Sequence, residues 1–455
     1  MKLFSTNKKA ASATFEKAVM QGLAEDGGLF MPTEIPTLTP NFFAKIDTLN
    51  FQEIAFTVAK TLIQNDIPEK ELEKIIYESI NFDAPLKEIK ENIYALELFH
   101  GPTLAFKDFG ARFMARIMSY FINKTAKKIT IIVATSGDTG SAVASGVYNV
   151  EGIRVFLLYP SNKVSKIQEQ QLTTMGGNIQ ALEIDGTFDD CQKLVKEAFL
   201  DQELKNIFAE NNDSLASANS INIARLIPQS FYYFHAYSQL KKIFGPNMEP
   251  PIFSIPSGNL GNLTAGLIAK KMGLPIKKFI AANNANDTFT EYLKTGNFTA
   301  KPSVKTISNA MDVGNPSNFV RIQELYQNNP EKMRQDIWSA SFSDKETAAA
   351  LKKVFEKYNY IMDPHGAVAY LGLQAYLENS PAPVTHNTKN ASVNNPLIFF
   401  ETAHPAKFLD IVEPIINQKI PIPDRLAACL TKEKITTKLS KNFTDFKNFL
   451  AKNAK

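Results

Sequence analysis

Lys107 stands where a helix is expected to begin, within the stretch 100–110 of the sequence. Gly101 and Pro102 break regular structure before it, and apolar residues recur at helical spacing over 109–120 after it. An apolar setting and the positive end of a helix dipole both favour the neutral amine. Because a neutral lysine amine attacks carbonyl groups, Lys107 is a candidate Schiff-base lysine, and a solvated surface lysine is the alternative.

A glycine-rich loop follows a short predicted strand at 252–255. Glycines let the backbone approach an anion, and successive N–H groups at a helix start form a nest for phosphate. Glycine-asparagine pairs are also plain turn formers, so the spacing leaves a phosphate site and an ordinary turn both open. The residues of this loop are Ser257, Gly258, Asn259, Leu260, Gly261 and Asn262.

Two further loops place polar side chains before predicted helices. The first offers hydroxyls and backbone donors that suit a carboxylate, and an ordinary helix cap is the alternative. The second ends in an arginine whose planar fork suits a phosphate monoester, and a capped helix with a surface arginine is the alternative. The first loop comprises Thr135, Ser136, Gly137, Asp138 and Thr139, and the second contains Asn219, Ser220 and Arg225.

Short β-branched runs alternate with helical patterns from residue 93 onward, which predicts a parallel sheet covered by helices. The predicted strands are 129–134, 155–159, 178–184, 252–255, 277–282 and 397–400. The predicted helices among them are 141–148, 166–175, 189–199, 222–244, 262–271 and 364–377. The residues before this region are expected to form a mostly helical unit, and 379–395 a surface loop.

Composition excludes several classes of protein. The chain has 455 residues, and its hydrophobic and charged fractions of 44% and 21% are ordinary for a globular enzyme. A net charge of +4 does not indicate nucleic-acid binding. Cys191 and Cys429 form no paired motif, so we expect no disulfide, no metal site and a cytoplasmic location. The first residues lack a signal-peptide pattern, and no apolar run approaches the ~20 residues that span a bilayer.

The motif His-Gly-Pro-Thr-x-Ala-Phe-Lys-Asp at 100–108 resembles the pyridoxal-phosphate lysine motif of threonine synthases. The stretch 22–29 is similar to the start of their N-terminal domain, and the resemblance extends from Gly22 to Phe408. It implies an α/β fold of the fold-type-II, tryptophan synthase β-like class. It also implies an N-terminal domain at 1–81, a catalytic domain at 82–430 with a smaller subdomain near 110–220, and a helical tail at 431–455.

The resemblance assigns roles to the candidate residues. It implies pyridoxal 5'-phosphate as cofactor, attached to Lys107 beside Phe106, with its phosphate in the loop 258–262 and its pyridine nitrogen near Thr402. Loop 135–139 would grip the substrate carboxylate. Many relatives have Asn where this chain has Asp138, and an acid pointing inward would repel a carboxylate, so we expect contacts chiefly from the other polar side chains of that loop. Asn219, Ser220 and Arg225 would hold a substrate phosphate, whereas His404 and Lys407 are expected to be structural.

The implied reaction converts O-phospho-L-homoserine and water into L-threonine and phosphate. A related phospholyase or a dehydratase on the same fold is the alternative activity, and product analysis separates them. A non-enzymatic relative would be expected to lack the lysine or the phosphate loop, and this chain has both. The sequence leaves open whether the chain is a monomer or a homo-oligomer, and it indicates neither a nucleic-acid nor a membrane partner.

Overall fold

The computed structural model describes residues 1–125, 128–135, 137–379 and 395–454. Ser136 and most of the surface loop predicted at 379–395 lie outside these described residues. Within them, no helix is both long and apolar enough to cross a membrane.

The N-terminal part combines a small antiparallel sheet with four helices. Strands β1 (Lys2–Ser5), β2 (Ala13–Thr14) and β3 (Phe30–Pro32) pair in the order β2-β1-β3. The predicted helices of this part are present, but its small sheet was not predicted because its strands are only two to four residues long. The helices are α1 (Phe15–Gln21), α2 (Pro40–Lys45), α3 (Phe51–Ile63) and α4 (Glu69–Ser79).

A six-stranded sheet forms the larger α/β layer. Its order is β12-β11-β10-β13-β5-β4, and its pairs are parallel except that β4 runs antiparallel to β5. Its strands are β4 (Leu86–Lys90), β5 (Ile93–Glu97), β10 (Ile252–Pro256), β11 (Lys278–Asn283), β12 (Ile337–Ser341) and β13 (Leu397–Glu401).

A second sheet of five strands is parallel throughout, in the order β14-β8-β7-β6-β9. Its strands are β6 (Lys128–Ala134), β7 (Ile153–Pro160), β8 (Ile179–Asp185), β9 (Asp213–Ser217) and β14 (Thr437–Ser440). The predicted class, parallel sheets covered by helices in the fold-type-II arrangement, is confirmed. The tail predicted as helical also contributes β14, an exposed edge strand whose side chains alternate in burial.

Helices cover both sheets. They are α5 (Lys107–Thr125), α6 (Asp138–Val147), α7 (Lys166–Thr173), α8 (Phe188–Leu200), α9 (Gln202–Glu210), α10 (Ile223–Leu226), α11 (Phe231–Phe244), α12 (Gly261–Lys271), α13 (Thr288–Thr295), α14 (Phe319–Leu325), α15 (Pro330–Asp336), α16 (Asp344–Tyr358), α17 (Pro364–Asn379), α18 (Leu409–Ile416), α19 (Asp424–Leu430) and α20 (Phe443–Asn453). Short 3-10 helices lie at Ile46–Thr48, Gln64–Asp66, Ile227–Ser230, Asn309–Met311 and Pro405–Phe408.

The single long helix predicted over 222–244 is wrong. The structure divides it into α10, a 3-10 helix at Ile227–Ser230 and α11. Pro228 lies in the 3-10 segment, where a proline cannot donate the backbone hydrogen bond that a continuous α-helix needs. Helix α10, which carries Arg225, is therefore only about one turn long.

The core is continuous from the N-terminal helices through both sheets. One buried cluster contains Ile54 of α3, Phe109 of α5, Ile131 of β6 and Phe253 of β10. The central strands are buried on both faces, as the unbroken apolar runs of β6 and β13 require in a parallel sheet. The N-terminal part therefore shares one core with both α/β layers.

Candidate active site

The two sheets bring their loops together at the carboxyl ends of neighbouring parallel strands. In the larger sheet β10, β13 and β5 are adjacent, and they lead into the glycine-rich loop, Thr402 and the segment before Lys107. In the smaller sheet β6 and β9 are adjacent, and they lead into the loops that contain Asp138 and Ser220. Ligands in parallel α/β folds bind at such ends, which is where the predicted site residues lie.

The segment before Lys107 pairs directly with the segment at Thr402. The N–H of Phe106 donates to the carbonyl of Thr402 at 2.8 Å, and the N–H of His404 donates to the carbonyl of Leu104 at 3.0 Å. Leu104 has a φ of 57°, a left-handed conformation that a leucine adopts only at a cost and that is typical of functional loops. Helix α5 then begins at Lys107 itself, as the sequence predicted.

Lys107 is surrounded by charge but forms no direct polar contact. Among the described residues its Nζ has no hydrogen bond or ion pair, and it lies 6.0 Å from the centre of the Phe106 ring. Burial lowers the pKa of Lys107 to about 8; the carboxylate of Asp138 opposes this shift, and the cations of Arg225 and Lys407 add to it. The residue as a whole is only partly buried, and its buried amine is easily neutralised.

The glycine-rich loop presents an uncapped helix start. Leu260 precedes α12 in a left-handed conformation with a φ of 59°, and no side chain caps this helix. A Cβ at Gly258 would lie 2.8 Å from the Cα of Met311, so only glycine fits this approach. The Nδ2 of Asn262 is buried without a partner among the described residues, although its Oδ1 accepts a 2.8 Å hydrogen bond from Tyr233.

In the loop at 135–139, the first hydroxyl is used by the loop itself. The Oγ1 of Thr135 accepts from the N–H groups of Gly137 and Gly140 at 3.0 and 2.8 Å, and Thr135 is fully buried. This geometry favours the capping interpretation for Thr135. Thr139 is half-buried and its hydroxyl has no hydrogen bond among the described residues, so it remains available to a ligand.

Asp138 is buried, and an ion pair balances its negative charge there. Its Oδ1 accepts from the Nε2 of Gln168 at 2.9 Å and forms an ion pair with the Nζ of Lys407 at 2.6 Å. Although burial disfavours the charged carboxyl, Lys407 and Lys107 hold the pKa of Asp138 well below its ordinary range. The repulsion expected between an inward acid and a substrate carboxylate is thereby reduced.

Lys407 was missed as a site residue. It is fully buried, and besides Asp138 its Nζ donates to the carbonyl of Thr103 at 3.0 Å. The expectation that Lys407 is structural stays a prediction, but its buried charge also helps to lower the pKa of the candidate catalytic lysine. A lysine inside the otherwise apolar segment 405–409 was the available signal, since lysines are almost never fully buried unless they are paired.

Arg225 is buried and lies within the site. Only 3% of it is exposed, its Nη1 donates to the carbonyl of Ala218, and its Nε has no partner among the described residues. A Cβ at Gly110 would lie 2.9 Å from that Nε, so Gly110 lets α5 pack closely on the arginine. Burial lowers the pKa of Arg225 to about 10, and the surface-arginine alternative is excluded.

Ser220 and the glycine-rich loop are in direct contact. The Nδ2 of Asn259 donates to the Oγ of Ser220 at 2.7 Å, and the Oδ1 of Asn259 accepts from the N–H of Ser317 at 2.6 Å. Asn219 lies next to Ser220, half-buried, and its side chain has no hydrogen bond among the described residues. Two loops from different sheets are therefore held as one surface.

Arg321 ties these loops to the N-terminal part, and sequence reasoning missed it. It is fully buried and donates to the carbonyls of Phe30 and Ile221 and to the Oδ1 of Asn318, with bonds of 2.7 to 3.2 Å. Asn318 in turn donates to the carbonyl of Asn259 at 3.0 Å. No sequence motif marks Arg321, because the backbone carbonyls to which it donates are distant in the chain.

Thr402 is fixed from behind by a buried acid. The Oδ2 of Asp363 accepts from the N–H groups of Thr402 and Ala403, both at 3.1 Å, and its Oδ1 accepts from the N–H of His365. Burial and the Asp363 carboxylate raise the pKa of Glu401 well above its ordinary range. His365 keeps the pKa of Asp363 low even though burial acts in the opposite direction.

The residues present fit a phosphate-bearing aldehyde. An uncapped helix start and a buried amide donor suit a phosphate, a lysine of lowered pKa suits an aldehyde, and the adjacent Thr402 offers a hydroxyl. Arg225 supplies a second buried donor, which has no partner in the part of the chain that the structure describes. The arrangement can thus hold two phosphates around one nucleophilic amine.

Comparisons with known proteins agree with this geometry. The family described as "Pyridoxal-phosphate dependent enzyme" matches residues 78–384, and those described as "Threonine synthase N terminus" and "Threonine synthase, C-terminal" match 2–80 and 382–450. Threonine synthase from Haemophilus influenzae is 44% identical over 452 residues, which cover 99% of this chain and 100% of that protein.

Two crystal structures are similar over the full length. Threonine synthase from Escherichia coli superposes with a TM-score of 0.89 at 38% identity, covering 100% of both chains. Threonine synthase from Brucella melitensis, with pyridoxal phosphate bound, superposes with a TM-score of 0.88 at 32% identity and the same coverage.

The fold and the site define a pyridoxal-phosphate-dependent enzyme of fold type II. The sequence identity to a threonine synthase over the full length identifies the family within this class. The chain belongs to the threonine synthase family.

Proposed function

We propose that the chain converts O-phospho-L-homoserine and water into L-threonine and phosphate, with Lys107 as the lysine that carries the cofactor. The observation that carries this proposal is that two of the buried donors without partners among the described residues, Asn262 Nδ2 and Arg225 Nε, lie on separate loops of the candidate site. A cofactor with one phosphate and a substrate with another need two anchors. A substrate without phosphate would leave the second donor unused.

We assign the cofactor to the larger sheet. Loop 258–262 holds its phosphate through the free N–H groups at the start of α12, with Asn262 as an additional donor. Lys107 would attach its aldehyde carbon, Phe106 lies beside the lysine, and the Thr402 hydroxyl would be the partner of the ring nitrogen. When bound, pyridoxal phosphate supplies an electron sink for the negative charge left at the substrate carbon.

We assign the substrate to the smaller sheet. Thr139, Ser136 and the backbone donors of that loop take the carboxylate, with Thr135 shaping the loop and Asp138 screened by its partners. The substrate phosphate binds Arg225 with Ser220 and Asn219, because a buried arginine offers a planar, charge-assisted contact.

Lys107 moves the protons. With the cofactor bound, the freed amine would take protons from Cα and Cβ, deliver one to Cγ as phosphate leaves from that carbon, and return one to Cα as water adds at Cβ. A lysine whose pKa is about 8 can both accept and donate a proton near neutral pH. Packing of α5 against Arg225 sets the amine close to the assigned phosphate site.

We further propose the domain division 1–81, 82–430 and 431–455, with a smaller subdomain near 110–220, and a cytoplasmic location. The continuous core and the Arg321 contacts support close packing of the first two domains. Both cysteines are unpaired, which suits a reducing compartment.

The test is identification of the amino-acid product. Full-length protein with pyridoxal phosphate is incubated with O-phospho-L-homoserine, and the products are identified by chromatography and mass spectrometry. We expect equal amounts of threonine and phosphate, and none with Lys107→Ala. Release of phosphate with 2-oxobutanoate in place of threonine would assign a phospholyase or dehydratase activity instead.

A further inference from the structure

Two lysines of the candidate site lie near one carboxylate, that of Asp138. Asp138 Oδ1 is 2.6 Å from the Nζ of Lys407, whereas Lys107 lies close enough to feel the same carboxylate but forms no ion pair with it. Lys407 is fully buried and Asp138 is 4% exposed, so water screens neither charge effectively. The Asp138 carboxylate thus forms an ion pair with Lys407 and not with Lys107.

The remaining contacts hold Lys407 in this position. Its Nζ also donates to the carbonyl of Thr103 at 3.0 Å, and Gln168 donates to the same Asp138 oxygen at 2.9 Å. Thr103 in turn donates to Asp108 through its backbone N–H and its hydroxyl, at 2.8 and 2.7 Å. Because Asp108 follows Lys107 in α5, the Lys407 ammonium is linked by hydrogen bonds to the start of the lysine's own helix.

The charged groups that face Lys107 come from three other elements. They are Asp138 of α6, Arg225 of α10 and Lys407 of the 3-10 helix at Pro405–Phe408. The carboxylate favours the charged form of Lys107, and both cations favour its neutral form. Without Lys407, the buried carboxylate would be left with Lys107 as its nearest available cation.

We propose that Lys407 is a positioning residue for Lys107: by holding Asp138 in an ion pair, it prevents that carboxylate from capturing the Lys107 amine as an ammonium ion. Lys407 contacts neither reacting atom in this assignment and acts through Asp138. The proposal rests on the proposed function of Lys107 as the cofactor lysine. Asp138 is an acid at a position where an amide would not attract the Lys107 ammonium. The ion pair with Lys407 explains how this chain accommodates the acid.

The experiment follows how fast the cofactor-free, full-length protein captures pyridoxal phosphate at different pH values. Capture requires the neutral amine, whose nitrogen bonds to the aldehyde carbon as water leaves, so its rate rises with pH around the pKa of Lys107. The ionisations of pyridoxal phosphate are common to all variants. Differences between the midpoints of these profiles therefore report changes in the pKa of Lys107.

Lys407→Met and Lys407→Gln should move the midpoint upward by about one pH unit or more, as for an amine that gains a close carboxylate. The sign follows because removing a cation that lowers the pKa of Lys107, and freeing an anion that raises it, both favour the ammonium. The Gln variant keeps a donor for Asp138 and Thr103, so it tests the charge even if the Met variant does not fold. Lys407→Arg, which keeps the charge, should leave the midpoint near that of the wild type.

The double variant Asp138→Asn with Lys407→Gln removes both charges and should return the midpoint close to the wild-type value. Lys241→Met is the matched control, because Lys241 is also buried, pairs with Asp47 at 2.8 Å and donates to two backbone carbonyls. Its stability should fall to a similar degree, but its midpoint should not move.

An unshifted midpoint in Lys407→Gln, with capture slowed equally at every pH, would show that Lys407 is merely structural. An equal shift in the single and double variants would show that Asp138 is not the intermediary. If wild-type protein captures the cofactor at a lysine other than Lys107, found by borohydride reduction and peptide mapping, the proposed function fails first. Capture at Lys107 without the predicted shifts overturns this inference alone.

Discussion

The side-chain amide of Asn259 donates a 2.7 Å hydrogen bond to the hydroxyl of Ser220. This bond joins the loop after β10 of the larger sheet to the loop after β9 of the smaller sheet. We assign the cofactor phosphate to the first loop and the substrate phosphate to the second. The two sites therefore share a structural element, and a change in one loop should be felt in the other.

Ser220→Ala should weaken both cofactor and substrate binding, because Asn259 loses its acceptor in a partly buried position. A lost hydrogen bond of ~0.5–1.5 kcal/mol corresponds to a decrease of up to about tenfold in each affinity. Fluorescence titration with pyridoxal phosphate and the KM for O-phospho-L-homoserine measure the two effects. Ser214→Ala, at an exposed serine of β9, is the control. A change in KM alone would show that the loops act independently.

Arg225→Ala should weaken O-phospho-L-homoserine binding by at least about tenfold and leave cofactor affinity nearly unchanged. A charge-assisted bond to a buried phosphate contributes roughly 1.5–3 kcal/mol, and ~1.4 kcal/mol is tenfold. Arg225→Lys should restore only part, because an ammonium cannot make the planar contact. Arg154→Ala, a partly exposed arginine of β7, is the control. Loss of cofactor with substrate binding intact would mean that the two phosphate assignments are exchanged.

Gly258→Ala should reduce cofactor affinity more than Gly261→Ala. The new Cβ at 258 would lie 2.8 Å from the Cα of Met311, a backbone atom that cannot turn aside, so the loop must shift. At 261 the nearest atom is 3.5 Å away, which is an ordinary contact within a helix. Equilibrium titration of both variants with pyridoxal phosphate makes the comparison. Equal affinities would remove this loop from the cofactor site.

Asp26→Asn should lower thermal stability at neutral pH, with a difference that shrinks as the pH falls. The Ser5 hydroxyl and the backbone N–H groups of Gly28, Lys9 and Ala10 lower the pKa of Asp26 from 3.8 to about 2. A lowered folded-state pKa means that this stability is complete above the unfolded value and is lost as pH falls from about 4 through about 2. Unfolding midpoints across this range, with Asp185→Asn as an exposed control, provide the measurement. A difference that stays constant down to pH 2 would contradict it.

Sequence patterns predicted the elements whose signals are local. Lys107 was placed at the start of a helix because Gly101 and Pro102 break structure before it, and α5 begins there. The strands around residues 129–134 and 252–255 were recognised from unbroken β-branched and apolar runs, which parallel, doubly buried strands require. Pro228 was itself a local signal for the break, but the prediction followed the long helical pattern around it.

The missed features depend on contacts between distant segments. Lys407 acts through its ion pair with Asp138, and Arg321 acts through hydrogen bonds to the carbonyls of Phe30 and Ile221. Neither set of contacts leaves a periodic pattern in the sequence. Strand β14 was not predicted because its alternation spans only four residues and gains its stability by pairing with β8. The inward direction of Asp138 likewise required the structure, since the sequence alone could not decide whether it met a ligand or a partner.

The most direct test of the account asks which lysine carries the cofactor. Protein loaded with pyridoxal phosphate is reduced with borohydride, digested and mapped by mass spectrometry. We predict one modified peptide, with the label on Lys107, and Lys107→Ala protein that is colourless and unlabelled. A label on another lysine, or a wild-type protein that takes up no pyridoxal phosphate, would contradict the placement of the active site at the start of α5.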